Sequence, residues 1–264
     1  MDSVKVKDHI VDWLRSYVEQ SKTKGFVIGV SGGIDSAVTS ALGAETGLPL
    51  LCVEMPIYQE SYQVERAQKH IAFLKENYPN VSEVEVELTK VFDSFLAAVP
   101  EVEDEEKRSM SLVNTRARLR MTTLYYFAAL NNYVVLGTGN KVEDFGVGFF
   151  TKYGDGGVDL SPIADLVKSE VYELGEVLDI NNDIMLAAPT DGLWGDDRTD
   201  EDQIGATYPE LEWAMEMAEK GIMDMNSFSP RQLEVFAIYS KLNLANQHKM
   251  EPIPVCKIPA ELRT

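Results

Sequence analysis

The apolar run Phe26-Val27-Ile28-Gly29-Val30 passes without a linker into Ser31-Gly32-Gly33-Ile34-Asp35-Ser36, and then into a segment carrying Ala37, Val38, Ala41 and Leu42. A short continuous apolar run suits a strand buried on both faces of a parallel sheet, so the junction predicts strand, tight turn and helix. Paired glycines let backbone amides crowd around an anion without Cβ clashes. The helix start adds its dipole and its free amides. Ser31 and Ser36 supply hydroxyl donors, whereas Asp35 would repel bare phosphate and makes chemical sense as a ligand for Mg²⁺ carried in with a nucleotide. A plain β-α turn capped by Asp35 or Ser36 would use the same residue types. A Walker A loop and a GxGxxG fingerprint are both absent.

The same order of elements recurs along the chain. Leu50 to Met55 reads as a strand and Glu60 to Tyr78 as a helix, Val84 to Leu88 alternates like a strand, Leu112 to Asn131 is a long helix, and Asn132 to Gly137 is another buried strand. Pro100 to Arg108 is charged and weakly patterned, which predicts a surface loop. Residues 141–161 are Gly-rich and polar, and helical patterns return over Lys168–Leu178, Tyr208–Lys220 and Pro230–Asn246. Alternating β and α elements with nearly continuous apolar strands predict an α/β fold with a doubly wound, mostly parallel sheet flanked by helices and a helical C-terminal part.

Composition narrows the partners. The 264 residues and 45% hydrophobic content suffice for one large domain spanning 1–264. With 24 basic against 43 acidic residues the net charge of -19 argues against nucleic acid. Cys52 and Cys256 are far apart and form no CxxC pair, which argues against a disulfide framework or a zinc site and fits a reducing cytoplasm. The N-terminus lacks the pattern of a signal peptide, and no apolar stretch approaches the roughly 20 residues of a membrane span. A soluble protein is expected.

SGGxDS after an apolar strand resembles the hallmark of the N-type ATP pyrophosphatases, which include NAD synthetase, GMP synthetase, asparagine synthetase and tRNA-lysidine synthetase. Gly148-Phe149-Phe150-Thr151-Lys152-Tyr153-Gly154-Asp155-Gly156-Gly157-Val158-Asp159 resembles the GFFTKYGDGGxD signature of NAD synthetase within that group. Supporting pieces fall in the same order: Asn114 to Met121, Gly137-Thr138, Ala188-Pro189-Thr190, Asp196-Asp197-Arg198 and Gln247-His248-Lys249. The resemblance implies an adenine nucleotide alpha hydrolase-like fold and amidation of deamido-NAD by ammonia, with ATP split to AMP and pyrophosphate. It places Gly29, Val30, Ser31, Gly32, Gly33, Ile34, Asp35, Ser36, Thr138, Lys168 and Thr190 on ATP, and Arg118, Lys152, Asp159, His248 and Lys249 on deamido-NAD. Asp35 and Glu143 are the implied Mg²⁺ ligands.

One departure bears on the metal. Well-known members read GTDHAAEA before the GFFTKYGDGG block, and residues 137–147 here are longer by one. Counting forward from Thr138 selects Glu143, counting back from Gly148 selects Asp144, and Glu143 is preferred because the strand end anchors Thr138. Cys52 in a buried strand and Cys256 in a Pro-flanked tail do not look like activated thiols, so free ammonia is the expected nitrogen donor and no glutaminase domain is expected. The resemblance also implies a homodimer. The rivals are a GMP-forming or tRNA-modifying relative sharing the loop, and a non-catalytic ATP-binding sensor.

Overall fold

A computed structural model describes residues 1–59, 61–190, 199–221 and 227–263. Four parallel strands, β1 (Phe26–Gly29), β2 (Leu50–Glu54), β3 (Val81–Glu85) and β4 (Val134–Val135), form one sheet in the order β3-β2-β1-β4. The chain steps outward from β1 to β2 to β3 and then returns to the other side of β1. That reversal leaves a crevice above the carboxyl ends of β1 and β4, where doubly wound sheets bind ligands.

Strand alternation sorts the core into two layers. Phe26, Ile28, Leu50, Cys52, Val134 and Leu136 point into a cluster closed by α1 (Ser3–Ser21), α2 (Ile34–Glu45), α3 (Ser61–Asn77) and α6 (Lys168–Val177). Val27, Leu51, Val53 and Val135 face the opposite cluster, under α4 (Thr89–Ala98) and α5 (Glu105–Asn131). Both sheet faces are covered, which is why these strands lack polar alternation. After α6 come α7 (Asn182–Met185) and α8 (Asp200–Ile204), followed by α9 (Tyr208–Glu219) and α10 (Pro230–Met250). A third cluster joins a π-helical turn, Val142–Val147, to the α8–α9 region and α10.

Three expectations need correction. β3 spans Val81–Glu85 rather than Val84–Leu88: Leu50 pairs with Val81, and beyond Glu85 the Val86 and Leu88 amides still donate to the Glu54 and Pro56 carbonyls while their side chains pack into the cluster under α4. The stretch 100–108 is not wholly a loop, because Asp104 accepts from the Lys107 amide and Glu105 and Glu106 occupy the first turn of α5. Acids at that end suit a helix dipole, so the charges that look like loop composition start a helix. α10 runs to Met250, which brings His248 and Lys249 into its last turn, where cations are favoured. Helix α4 had no distinct signature in the sequence. Asp196-Asp197-Arg198 lies outside the described residues.

Candidate active site

The loop between β1 and α2 is organised by its own side chains. Ser36 Oγ donates to the Gly33 carbonyl at 3.0 Å and accepts from the Ser31 amide at 3.2 Å, which ties the two ends of the turn together. Gly32 sits at φ 81°, and a Cβ there would lie 2.8 Å from the Gln63 carbonyl oxygen. Both the left-handed backbone and the close approach of α3 require glycine at that position.

Lys168 opens α6, is only 2% exposed, and reaches back across the crevice. Its Nζ donates to Asp35 Oδ2 at 2.6 Å and to Glu143 Oε1 at 3.0 Å. Burial alone would lower its pKa, but the two carboxylates outweigh burial and hold the ammonium protonated, well above the usual lysine range. The Tyr208 ring lies 4.5 Å from Nζ, and its hydroxyl donates to Glu143. Asn140, fully buried, donates from Nδ2 to Asp35 Oδ1 at 3.2 Å, while its Oδ1 accepts from the Val142 and Glu143 amides. One amide side chain thus joins the glycine-paired loop to the segment that carries Glu143.

The segment winds into a π-helical turn over Val142–Val147, which holds about one residue more per turn than an α-helix. The Gly148 amide closes the turn by donating to the Glu143 carbonyl. Glu143 thereby faces Asp35 across Lys168, and Asp144 turns toward Gly139, where a Cβ would stand 2.2 Å from its carboxylate oxygens. A side chain at 139, such as the Asp of GTDHAAEA, would collide with Asp144. Burial, followed by the charges of Glu143, Asp155 and Asp35, pushes Asp144 up to about 8. Burial likewise pushes Asp155 up to about 6.

A cavity of about 280 Å³ takes its walls from all these pieces. Gly29, Val30, Ser31, Gly33, Ile34, Asp35 and Ser36 line it together with Thr138, Glu143, Lys168 and Thr190, so the loop, the end of β4, the start of α6 and the 188–190 segment meet at one place. Gly32 supports the loop from behind. The residues expected on the second nucleotide are arranged differently. Arg118 donates to the Lys152 carbonyl at 3.3 Å, Lys152 donates to the His248 carbonyl, and Lys249 donates to the carbonyls of Gly148 and Phe150 at 2.6 and 2.7 Å. These four gather where α5, the 148–157 segment and the end of α10 approach one another. Asp159 stands apart, accepting from the Tyr125 hydroxyl at 3.0 Å and the Val135 amide at 2.8 Å.

Among the described residues no three His, Cys, Asp or Glu side chains form a metal cage. Asp35 and Glu143 nevertheless converge on one cationic point, and two hard carboxylates plus nucleotide oxygens are a donor set suited to magnesium. Asn140 and Tyr208 were not singled out from sequence, and Arg120, in the same Arg-rich helix as Arg118, was passed over in favour of Arg118. Asn140 lies inside a recognisable motif, but Tyr208 follows Thr207 in a capping box with Glu210 and reads only as a helix start. Arg120 also borders the cavity, with its guanidinium on the Met55 carbonyl at 3.0 Å and Gln59 at 3.1 Å.

The NAD synthase family profile matches residues 6–253. An NH3-dependent NAD+ synthetase of Syntrophomonas wolfei is 36% identical over 267 residues and spans 100% of both chains. A relative of the same name from Mesoplasma florum is 39% identical over 207 residues, 78% of this chain and 81% of that one. Among solved structures, an NMN synthetase from Francisella tularensis matches with a TM-score of 0.82 and 31% identity, covering 98% of this chain and 99% of that one. The chain belongs to the NAD synthase family.

Proposed function

We propose that this chain is an ammonia-dependent NAD+ synthetase, joining ammonia to the nicotinate carboxylate of deamido-NAD at the expense of ATP. A carboxylate is a poor acyl donor, so its oxygen first attacks the α-phosphorus of ATP and pyrophosphate leaves. Ammonia then displaces AMP from the mixed anhydride, forming the amide and releasing one proton. The observation that carries this reading is the convergence of the glycine-paired loop, Asp35, Glu143 and Lys168 on one cavity at the carboxyl edge of the sheet. Such chemistry depends on positioning and charge neutralisation rather than on a covalent nucleophile.

Within this reading the amides of residues 31–36 hold the polyphosphate, and Thr138, Lys168 and Thr190 border it. Asp35 and Glu143 are the proposed ligands for Mg²⁺, which supplies charge neutralisation on the phosphate oxygens when bound. Lys168, held between the same carboxylates, keeps them apart and oriented and is the group released toward phosphate when another cation takes them. Arg118, Lys152, His248 and Lys249 are proposed to hold the second nucleotide; Asp159, also expected on it, is set apart from them, bonded to Tyr125 and to the Val135 amide of β4.

Free ammonia is the proposed nitrogen donor. Cys52 is buried, and burial with the charges of Glu83 and Glu54 pushes its thiol up to about 12, so it is no nucleophile at neutral pH. A single synthetase domain, a homodimer and a cytoplasmic setting complete the proposal, and none of the helices among the described residues is long and apolar enough to cross a membrane.

The likeness to an NMN synthetase supports a second reading that differs only in acceptor length, with nicotinate mononucleotide in place of the dinucleotide. An assay of AMP and amide formation with ATP, Mg²⁺ and ammonium, run with each acceptor and with glutamine replacing ammonium, tests both. One AMP per NAD with deamido-NAD is expected. ADP and orthophosphate as products would overturn the mechanism, and a preference for the mononucleotide would favour the second reading.

A further inference from the structure

Six acidic side chains border the cavity, those of Asp35, Glu54, Glu143, Asp144, Asp155 and Asp200, yet the proposed reaction must release a polyanion there. The cations available among the described residues are three. Lys168 is engaged by Asp35 and Glu143, and Arg120 is anchored on the Met55 carbonyl and Gln59. Arg66 is different. It lies on α3, where the helix packs against the phosphate loop, and its Cβ is 3.2 Å from the place a Cβ on Gly32 would occupy. Its side chain borders the same cavity as Ser31, Gly33 and Ser36.

Among the described residues Arg66 has no bonded partner that would explain it as a structural residue, although its charge is felt by Asp183. Its Nε is buried without a hydrogen bond, and its guanidinium makes no ion pair among the described residues, resting on the Tyr62 ring at 5.4 Å. The nearby Asp183 is bonded to Lys69 at 2.9 Å instead. A half-buried guanidinium with an unmet donor is costly unless something meets it. A planar fork of donors within side-chain reach of a phosphate loop matches phosphate oxygens.

We infer that Arg66 binds the departing pyrophosphate, contacting its oxygens from the α3 side of the loop and neutralising charge that the acidic cavity would otherwise repel. This inference rests on the proposed AMP-forming reaction. Neither the loop motif nor the GFFTKYGDGG block includes this residue, and it was not among the expected site residues.

The test is product inhibition of the full chain by inorganic pyrophosphate and, separately, by AMP, in wild type, Arg66→Met and Arg66→Lys. Loss of a charge-assisted contact predicts pyrophosphate inhibition weakened about 10- to 100-fold in Arg66→Met, with AMP inhibition moved less than about twofold. Arg66→Lys keeps the charge without the fork and is expected to fall between the two. Pyrophosphate inhibition within twofold of wild type in both variants would overturn the inference, as would equal weakening toward pyrophosphate and AMP. If Arg66→Met does not fold, Arg66→Lys against wild type decides by the same comparison. A wild-type chain that forms no AMP would remove the reaction itself, which separates that failure from the failure of Arg66.

Discussion

Replacing Lys168 with Met removes the one cation that separates Asp35 from Glu143. At 2.6 and 3.0 Å each pairing is a gross attraction of about 6 kcal/mol at an effective dielectric near 20. Burial of all three groups offsets much of this, so the pairings as they stand need contribute little net stability. Removing only the cation is a different change, because two carboxylates with side chains 17% and 16% exposed are left facing each other without compensation. Breaking a buried pair in this way costs about 3–5 kcal/mol. The assay is urea unfolding of wild type and Lys168→Met at pH 7, in EDTA and in excess Mg²⁺. A loss of that size is expected in EDTA, and Mg²⁺ should stabilise the variant more than wild type, since the same two carboxylates would bind it without competition. Turnover should fall as well. A loss under about 1 kcal/mol in EDTA would refute the electrostatic argument, and equal stabilisation of both proteins by Mg²⁺ would refute Asp35 and Glu143 as the metal's ligands.

His70 is fully buried between α2 and α3, with Nε2 2.8 Å from Ser40 Oγ, and burial lowers its pKa to about 4. The unfolded chain therefore takes up a proton near pH 6.5 that the folded chain refuses until about pH 4, so stability is full above 6.5, declines as pH falls between the two, and loses on the order of 3 kcal/mol. Urea unfolding at pH 7 and 5 should show that His70→Gln flattens this slope, and identical slopes would dismiss the group as its source. Gly32→Ala forces a left-handed alanine against α3 and should cost at least about 1–2 kcal/mol, with a raised KM for ATP; an unchanged melting temperature would show that the loop relaxes freely. Lys152→Ala should raise the KM for deamido-NAD roughly 5- to 10-fold with little change in kcat, and steady-state constants equal to those of wild type would take Lys152 out of the site.

Much of this molecule is local in origin. Phe26 to Gly29 declares a doubly buried strand because no polar residue interrupts it, and the glycines after it can only be a turn. The helices at Lys168, Tyr208 and Pro230 begin where periodicity places them, because caps and apolar spacing act over one or two turns. What failed was also local in character but ambiguous. Val84 to Leu88 alternates whether or not it is paired, and pairing with β2 set the ladder three residues earlier. Glu105 and Glu106 look like loop composition until Asp104 caps them into a helix.

The site divides along the same line. The order of motifs determined that a glycine-paired bend suited to an anion, two candidate carboxylates and a buried-strand scaffold would be present, since each of these depends on residue type and short spacing. Tertiary structure alone decided which groups meet: Lys168, 133 positions from Asp35, becomes the cation between Asp35 and Glu143, and Asn140 bridges 105 positions to reach the loop. It also set Glu143 on Lys168 and turned Asp144 toward Gly139, and it brought Arg66 of α3 beside Gly32. Spacing along a chain encodes direction over a few residues, whereas distance across a cavity depends on how layers pack around a sheet, and that is settled only when apolar faces 100 or more residues apart are buried together.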